Sequence, residues 1–141
     1  MGGKRCLYSS LMILLLFFVT SVRAEELEEG YDENTEVTIK GTVKDLVREM
    51  RGPLIFRIPY RDRVYHVVTA PPWYLRQQNF LLQSGLELEV TGSRYVRMDG
   101  TLYLVARKIK EVKTGREILF RDLRLRPCWR GMRSPRNMDI R

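Results

Sequence analysis

The fold is decided by residues 54–91, which read LIFRIPYRDRVYHVVTAPPWYLRQQNFLLQSGLELEVT. Strands are predicted at 54–58 and 63–69, because both segments are rich in β-branched and aromatic residues. The link Pro59-Tyr60-Arg61-Asp62 between them has the length of a hairpin turn. After two prolines, residues 73–82 lose the two-residue alternation and contain good helix formers, so a short helix is expected there. Residues 86–91 alternate again between apolar and polar side chains, which predicts another strand.

Further strands are predicted on both sides of this stretch. Residues 36–43 alternate with period two, and Gly41 interrupts their inner face, where a bulge or a tight bend would fit. Gly92-Ser93 is expected to end the strand at 86–91. The Asp99-Gly100 pair then predicts a hairpin. The strands that follow are expected at 102–110 and 116–122.

The order of these elements predicts a mainly β protein. Three strands, a short helix between strands 3 and 4, and two to three further strands resemble an OB-fold, a small Greek-key barrel of five to six strands. A six-stranded open sheet capped by one helix would give the same local pattern. We prefer the barrel.

The first 24 residues have the features of a cleavable signal peptide. Lys4 and Arg5 precede an unbroken apolar run at 11–19, and Val22-Arg23-Ala24 offers a cleavage site after Ala24. The protein is therefore expected to be periplasmic or secreted. The alternative is an uncleaved segment at 7–22 that anchors the chain to a membrane.

Charge divides the rest of the chain. The sequence has 25 basic and 17 acidic residues, and from Val37 onward 22 basic residues stand against 10 acidic ones, a net charge of +12. Residues 25–35 are predicted to be an acidic, disordered leader. Residues 36–126 are expected to form the β domain, and residues 127–141 a basic C-terminal tail.

A cationic domain of this kind attracts polyanions. Outside the cytoplasm the expected partner is an anionic ligand: a glycan, a lipid head group or an acidic protein. Nucleic acid is less favoured because of the export signal, contact with a membrane is open, and the oligomeric state is not predicted. Alternatively, the acidic leader folds back over the basic face and the charge only keeps the protein soluble.

Four segments carry a resemblance to known proteins. They are Ala70-Pro71-Pro72-Trp73-Tyr74, residues 86–93, residues 104–109, and the closing stretch from Gly115 to Pro127-Cys128-Trp129-Arg130-Gly131. Over about residues 36–131 the chain resembles a group of exported bacterial proteins that are similar in fold to periplasmic OB-fold stress proteins, and loosely to the magnetosome protein MamS. The resemblance implies the OB-fold and carries no catalytic residue. Cys128 stands where that group leads us to expect an aliphatic residue, which argues against a redox role.

No motif predicts catalysis, a metal or a cofactor. His66 is the only histidine and has no partner carboxylate nearby in sequence, so it is interpreted as a packed or surface residue. The mature chain keeps one cysteine, Cys128, which is expected to be an unpaired thiol. We therefore expect a protein that is not an enzyme.

Arginines and aromatic residues alternate around the predicted hairpins. In an OB-fold the face of strands 2 and 3 and the adjoining loops commonly bind oligomers. Trp73 is expected to plug the end of the barrel, and Tyr74 to be the exposed member of the pair. The candidate ligand-binding residues are Arg57, Tyr60, Arg61, Arg63, Tyr65, Tyr74, Arg76, Arg94, Tyr95 and Arg97.

These observations favour a non-enzymatic, exported binding or accessory module with a cationic, aromatic-bearing β surface. The alternative is a structural or biomineralisation accessory tethered to a membrane by residues 7–22. Single-stranded nucleic-acid binding ranks third, because aromatic side chains stack on bases while cations contact phosphates.

Overall fold

A computed structural model describes residues 30–47 and 52–132, and this part of the chain is mainly β. The predicted signal peptide, residues 25–29 of the leader and residues 133–141 of the tail lie outside the described residues. The elements are a 3₁₀ turn (Glu33–Thr35), β1 (Glu36–Thr42), β2 (Leu46–Val47), β3 (Ile55–Tyr60), β4 (Arg63–Val68), α1 (Pro72–Gln77), β5 (Glu87–Val96), β6 (Leu102–Glu111) and β7 (Glu117–Leu119).

The strands form one sheet in the order β1-β5-β6-β4-β3-β2, and β7 pairs with β6. All pairs are antiparallel except β4 with β6, which is parallel. Residues 43–45 carry the chain from β1 at one end of the sheet to β2 at the other: the Val43 amide donates to Leu86 O at 2.9 Å and the Lys44 amide to Arg57 O at 3.0 Å. The predicted OB-fold-like architecture, with its helix between the third and fourth long strands, is confirmed. In the described part of the chain the sheet has seven strands rather than five to six, and its end strands β1 and β2 are not paired with each other, so it is not a closed barrel.

Gly41 allows β1 to cross close over β3. A Cβ atom at Gly41 would stand 2.5 Å from Ile58 Cγ2 and 2.9 Å from the Pro59 carbonyl oxygen. Only a residue without a side chain fits this approach. The predicted interruption of the inner face is therefore a close crossing of two strands.

The helix is shorter than predicted and ends at Gln77. Asn79 adopts a left-handed φ of 51°. The Phe80 amide donates to Leu75 O and the Asn79 amide to Arg76 O, which is the hydrogen-bond pattern of a Schellman cap. Phe80 and Leu75 are both buried, as this motif favours, so the cap outweighs the helix propensity of the residues that follow.

Two strand boundaries also differ from the prediction. β3 continues through Pro59 to Tyr60 and leaves a two-residue turn before β4. β5 does not end at Gly92-Ser93 but runs on to Val96, because its register with β6 shifts at this point.

The packed domain extends beyond both predicted limits. In the leader, the Asp32 amide donates to Ser93 Oγ at 3.1 Å and residues 33–35 form the 3₁₀ turn, so residues 30–35 are ordered. In the tail, Trp129 is buried in the core cluster and the Cys128 amide donates to Phe120 O. Both segments gain order because they cover apolar or polar groups of the sheet.

Candidate ligand-binding face

Four side chains lie in one line across the outer face of the sheet, the face turned away from the core. Arg57 on β3 is paired in register with His66 on β4, His66 with Tyr103 on β6, and Tyr103 with Tyr95 on β5. Residues paired across a sheet share a face. The line of His66, Tyr103 and Tyr95 is named the ring row.

The three rings of the ring row are closely spaced. The centroids of His66 and Tyr103 are 5.3 Å apart with their planes tilted by 36°, and those of Tyr103 and Tyr95 are 5.3 Å apart at 21°, which is a stacked pair. All three side chains are half-buried. They leave ring surface open to solvent, and a ligand with a flat or apolar surface can pack on it.

A β-bulge decides which residue faces Tyr103. Thr91 pairs with Lys108, whereas Gly92 pairs with Ala106, so Arg107 is an extra residue on β6. Without that extra residue Tyr95 would lie opposite Leu104, because a slip of one residue changes every pair beyond it. The bulge therefore builds the stacked half of the ring row.

Arginine side chains flank the ring row. The Arg97 guanidinium lies 5.8 Å from the centroid of the Tyr103 ring, and its Nη1 is 3.5 Å from the Tyr103 hydroxyl. The hydrogen bond to Tyr103 raises the pKa of Arg97. At the other end Arg57 forms an ion pair with Asp45. Burial raises the pKa of Tyr95, so this hydroxyl stays neutral.

A groove of about 450 Å³ opens beside His66. It lies between the start of β4 and the turn that joins β5 to β6. Its lining residues are Arg63, Val64, His66, Val96, Asp99, Gly100, Thr101 and Leu102. His66 thus belongs both to the ring row and to the groove.

One ring nitrogen of His66 makes no hydrogen bond within the described part of the chain. Its Nδ1 is buried and has no hydrogen-bond partner among the residues that the structure describes. No carboxylate in the described ranges orients the imidazole through that atom, as a general base would require. The ring is instead positioned by its contact with Tyr103.

The carboxylate on the groove is engaged within its own turn. Asp99 Oδ1 accepts a hydrogen bond from the Thr101 amide at 2.9 Å. Hydrogen bonds from Thr101 lower the pKa of Asp99, so this group stays ionised. The Asp-Gly turn predicted from the sequence is therefore held by its own aspartate.

The eight predicted site residues that are not buried fall into three groups. Tyr95 and Arg97 belong to the ring row and its flank, Arg57 ends the row, and Arg63 lines the groove. Tyr60 and Arg61 stand at the adjacent β3–β4 hairpin, where the guanidinium lies 5.3 Å from the Tyr60 ring. Two further arginines are exposed but outside the row: Arg76 on α1, and Arg94, which pairs with buried Leu104.

Two predicted ligand residues are buried, and the prediction is corrected for them. Tyr65 is 7% exposed and packs in the hydrophobic core, edge-on to Tyr60. Tyr74 is 4% exposed, and its hydroxyl donates to Leu119 O at 3.0 Å. Of the two aromatic residues after the prolines, Tyr74 is the buried one and packs against Phe120 and Trp129, while Trp73 stays half-buried, the reverse of the expectation.

His66 and Tyr103 are not among the ligand-binding residues predicted from the sequence. Period-two alternation places His66 and Tyr65 on opposite faces of β4, and Tyr103 is one of two tyrosines that flank the turn between β5 and β6. The parallel pairing of β4 with β6 brings them together, and no local pattern encodes it. The ring row could have been predicted only from a topology in which β4 pairs with β6, the third and fifth long strands.

The end of the leader is fixed on the sheet next to the ring row. The Tyr31 hydroxyl donates a hydrogen bond to the Glu36 carboxylate, which also forms an ion pair with Arg107 at 2.6 Å. The Arg121 guanidinium lies 5.3 Å from the centroid of the Tyr31 ring. This set is named the N-terminal clasp. Its ion pair neutralises Arg107 with Glu36, which is the first residue of β1.

The pKa values in the clasp match this geometry. Burial of Glu36 acts to raise its pKa, but the hydrogen bonds from Tyr31 and Arg107 outweigh that effect and the net pKa is lowered. Burial, together with Glu36, raises the pKa of Tyr31. The tyrosine therefore remains a donor and the glutamate an acceptor.

The described part of the chain contains neither a metal-type cluster of side chains nor a helix that could span a membrane. No three histidine, cysteine, aspartate or glutamate side chains in those ranges are grouped as a metal site would need. Within the same ranges no helix has the length and apolar character to cross a bilayer.

Comparison with known proteins points to one family. The MamS/MamX magnetosome protein family matches residues 35–116, a range that includes all three rings of the row. A solved structure with a similar fold is the mitochondrial single-stranded DNA binding protein Rim1 of S. cerevisiae, at 16% identity and a TM-score of 0.45, covering 61% of this chain and 98% of that chain. No curated protein sequence matches the chain.

Proposed function

The chain belongs to the MamS/MamX magnetosome protein family, and on that premise we propose that it is a non-enzymatic accessory module which binds an anionic partner through the ring row. The observation that carries the proposal is the alignment of three rings on three adjacent strands with arginines beside them. Rigid strands hold the rings in place before any ligand arrives, which lowers the entropic cost of binding.

The charges near the row favour an anion. Arg61, Arg63 and Arg94 form no ion pair with any residue in the described part of the chain. Arg97 contacts Tyr103 and forms no ion pair within residues 30–47 and 52–132. These guanidinium groups keep their hydrogen-bonding capacity for a ligand, and a planar guanidinium binds carboxylates and phosphates through paired hydrogen bonds.

We propose further that the protein is exported and acts outside the cytoplasm. Support comes from the charged start, apolar run and small-residue site within residues 1–24. A second candidate, a membrane-tethered structural accessory, is favoured by the same apolar run if it is not removed. Sequencing the N-terminus of the protein from its native host separates them, because a start at Glu25 removes the tether.

The binding test uses the purified chain against polygalacturonate, acidic peptides, vesicles containing phosphatidylglycerol and single-stranded DNA, each at low and high salt. We expect one anionic class to bind and its affinity to fall with salt. Tyr103→Ala should weaken binding at least about tenfold, as truncation of a central aromatic residue typically does.

The matched control compares two exposed arginines. Arg97→Ala removes a cation beside the ring row, whereas Arg76→Ala removes the same charge from α1. We expect the first change to weaken binding severalfold and the second to leave it nearly unchanged. Equal effects of both would mean that net charge alone, and no defined face, governs binding.

A further inference from the structure

The groove beside the ring row has aliphatic side chains in its walls. Val64 is 46% exposed and Val96 is 58% exposed, and both line the groove. Leu102, which is nearly buried, adds a third aliphatic side chain. Aliphatic surface left open in a concavity is typical of a binding site.

The groove also carries one cation without an ion pair. Arg63 lines it and forms no salt bridge within residues 30–47 and 52–132. Asp99 is the acidic group on the lining; it stays ionised, and its Oδ1 accepts from the Thr101 amide within its own turn, so its negative charge favours a ligand whose carboxylates lie on the Arg63 side. A ligand in the groove therefore meets an aliphatic slot with an arginine beside it and the ring row next to it.

These contacts select among the anionic partners. A polysaccharide or a nucleic-acid strand has no free aliphatic side chain with which to cover Val64 and Val96. A lipid surface would be met by projecting side chains, whereas this feature is concave. An acidic peptide provides both kinds of contact. Its carboxylates can pair with the arginines, and an aliphatic side chain between them can pack against Val64 and Val96.

We infer that the groove receives an aliphatic side chain from an acidic segment of a partner protein. This inference rests on the proposed function, since it names the partner of the same face. The aliphatic side chain lies between Val64 and Val96, a flanking carboxylate pairs with Arg63, and the peptide chain continues over His66 and the ring row.

The experiment uses the full chain and two synthetic probes. One is a nonapeptide of glutamates with a central leucine, and the other has serine in place of the leucine. We expect the leucine peptide to bind at least about fivefold more tightly. Equal affinities would overturn the inference.

A pair of valine substitutions locates the effect. Val64→Thr changes the groove at nearly constant volume, and Val47→Thr makes the same change on β2, where the valine is similarly exposed at 44%. We expect Val64→Thr to bring the ratio of the two affinities close to one, and Val47→Thr to leave it unchanged. If Val64→Thr also left the ratio unchanged, the groove would not be the site.

The outcomes separate this inference from the proposed function. If polygalacturonate or single-stranded DNA binds and Tyr103→Ala weakens that binding, while neither peptide binds, the anionic ligand face stands and the acidic-peptide inference fails. If no anionic probe binds at low salt, both fail.

Discussion

Gly92 on β5 lies so close to Val105 on β6 that a Cβ atom at position 92 would stand 2.4 Å from the Val105 carbonyl oxygen. This contact falls where the register shifts and Arg107 becomes the extra residue. The bulge, and with it the position of Tyr95 opposite Tyr103, therefore depends on a residue without a side chain.

Gly92→Ala should destabilise the protein by on the order of 2–3 kcal/mol, since the added methyl group must displace backbone atoms of β6. Denaturant unfolding measures the change. Glu89→Ala on the same strand is the control and should cost well under 1 kcal/mol. A Gly92→Ala protein as stable as the parent would show that β6 can move away without loss.

Asn79→Ala should lower the free energy of unfolding by about 1 kcal/mol, because alanine adopts the left-handed conformation less readily than asparagine. Asn79→Gly should be neutral or slightly stabilising. Thermal unfolding of the two variants tests the Schellman cap at the end of α1. The reverse order of stability would contradict the cap.

The N-terminal clasp predicts a loss of stability in acid. Because the pKa of Glu36 is lower in the folded state than its ordinary value of 4.5, the unfolded chain binds more protons near that pH. The contribution is thus present above about pH 4.5 and is lost as the pH falls through the folded-state pKa. Unfolding free energies at pH 7 and at pH 3.5 measure it.

Glu36→Gln is the comparison for that measurement. It removes the titrating group and keeps a carbonyl oxygen that can accept from Arg107 and Tyr31. We expect a smaller difference between the two pH values than in the parent protein. An unchanged difference would assign the acid sensitivity to other carboxylates.

Cys128 should react slowly with alkylating agents in the folded protein. Burial raises the pKa of its thiol, and the residue packs against the core cluster. Because the thiolate is the reactive form, carbamidomethylation by iodoacetamide at pH 8 should be at least about tenfold slower than in urea. Equal rates in the two conditions would show that the C-terminal segment opens freely.

Local sequence patterns predicted most of the strands but not where several of them end. The alternation at 86–91 was visible, whereas its continuation to Val96 depends on the bulge. Helix propensity predicted that α1 would continue to residue 82. It could not predict the end of the helix, because it contains no information on the left-handed conformation of Asn79. The burial of Tyr74 rather than Trp73 was likewise not predictable, since either ring could have faced the barrel.

The candidate site shows the same division. Tyr95 and Arg97 were selected from the sequence because aromatic and basic residues alternate there. His66 and Tyr103 were not, although they complete the ring row. Their 37-residue separation along the chain is spanned only by the parallel pairing of β4 with β6, and a local period contains no information on such a pairing.

The amino-acid sequence by itself determined the class of fold, the cationic character of the domain and the face on which each residue of a single strand lies. These follow from side-chain chemistry and from the two-residue period of an extended chain. The tertiary structure alone decided which strands are neighbours, where the bulge shifts their register and which rings meet. Those choices depend on packing the whole core at once, and this packing placed Tyr95, Tyr103 and His66 in one row beside the groove.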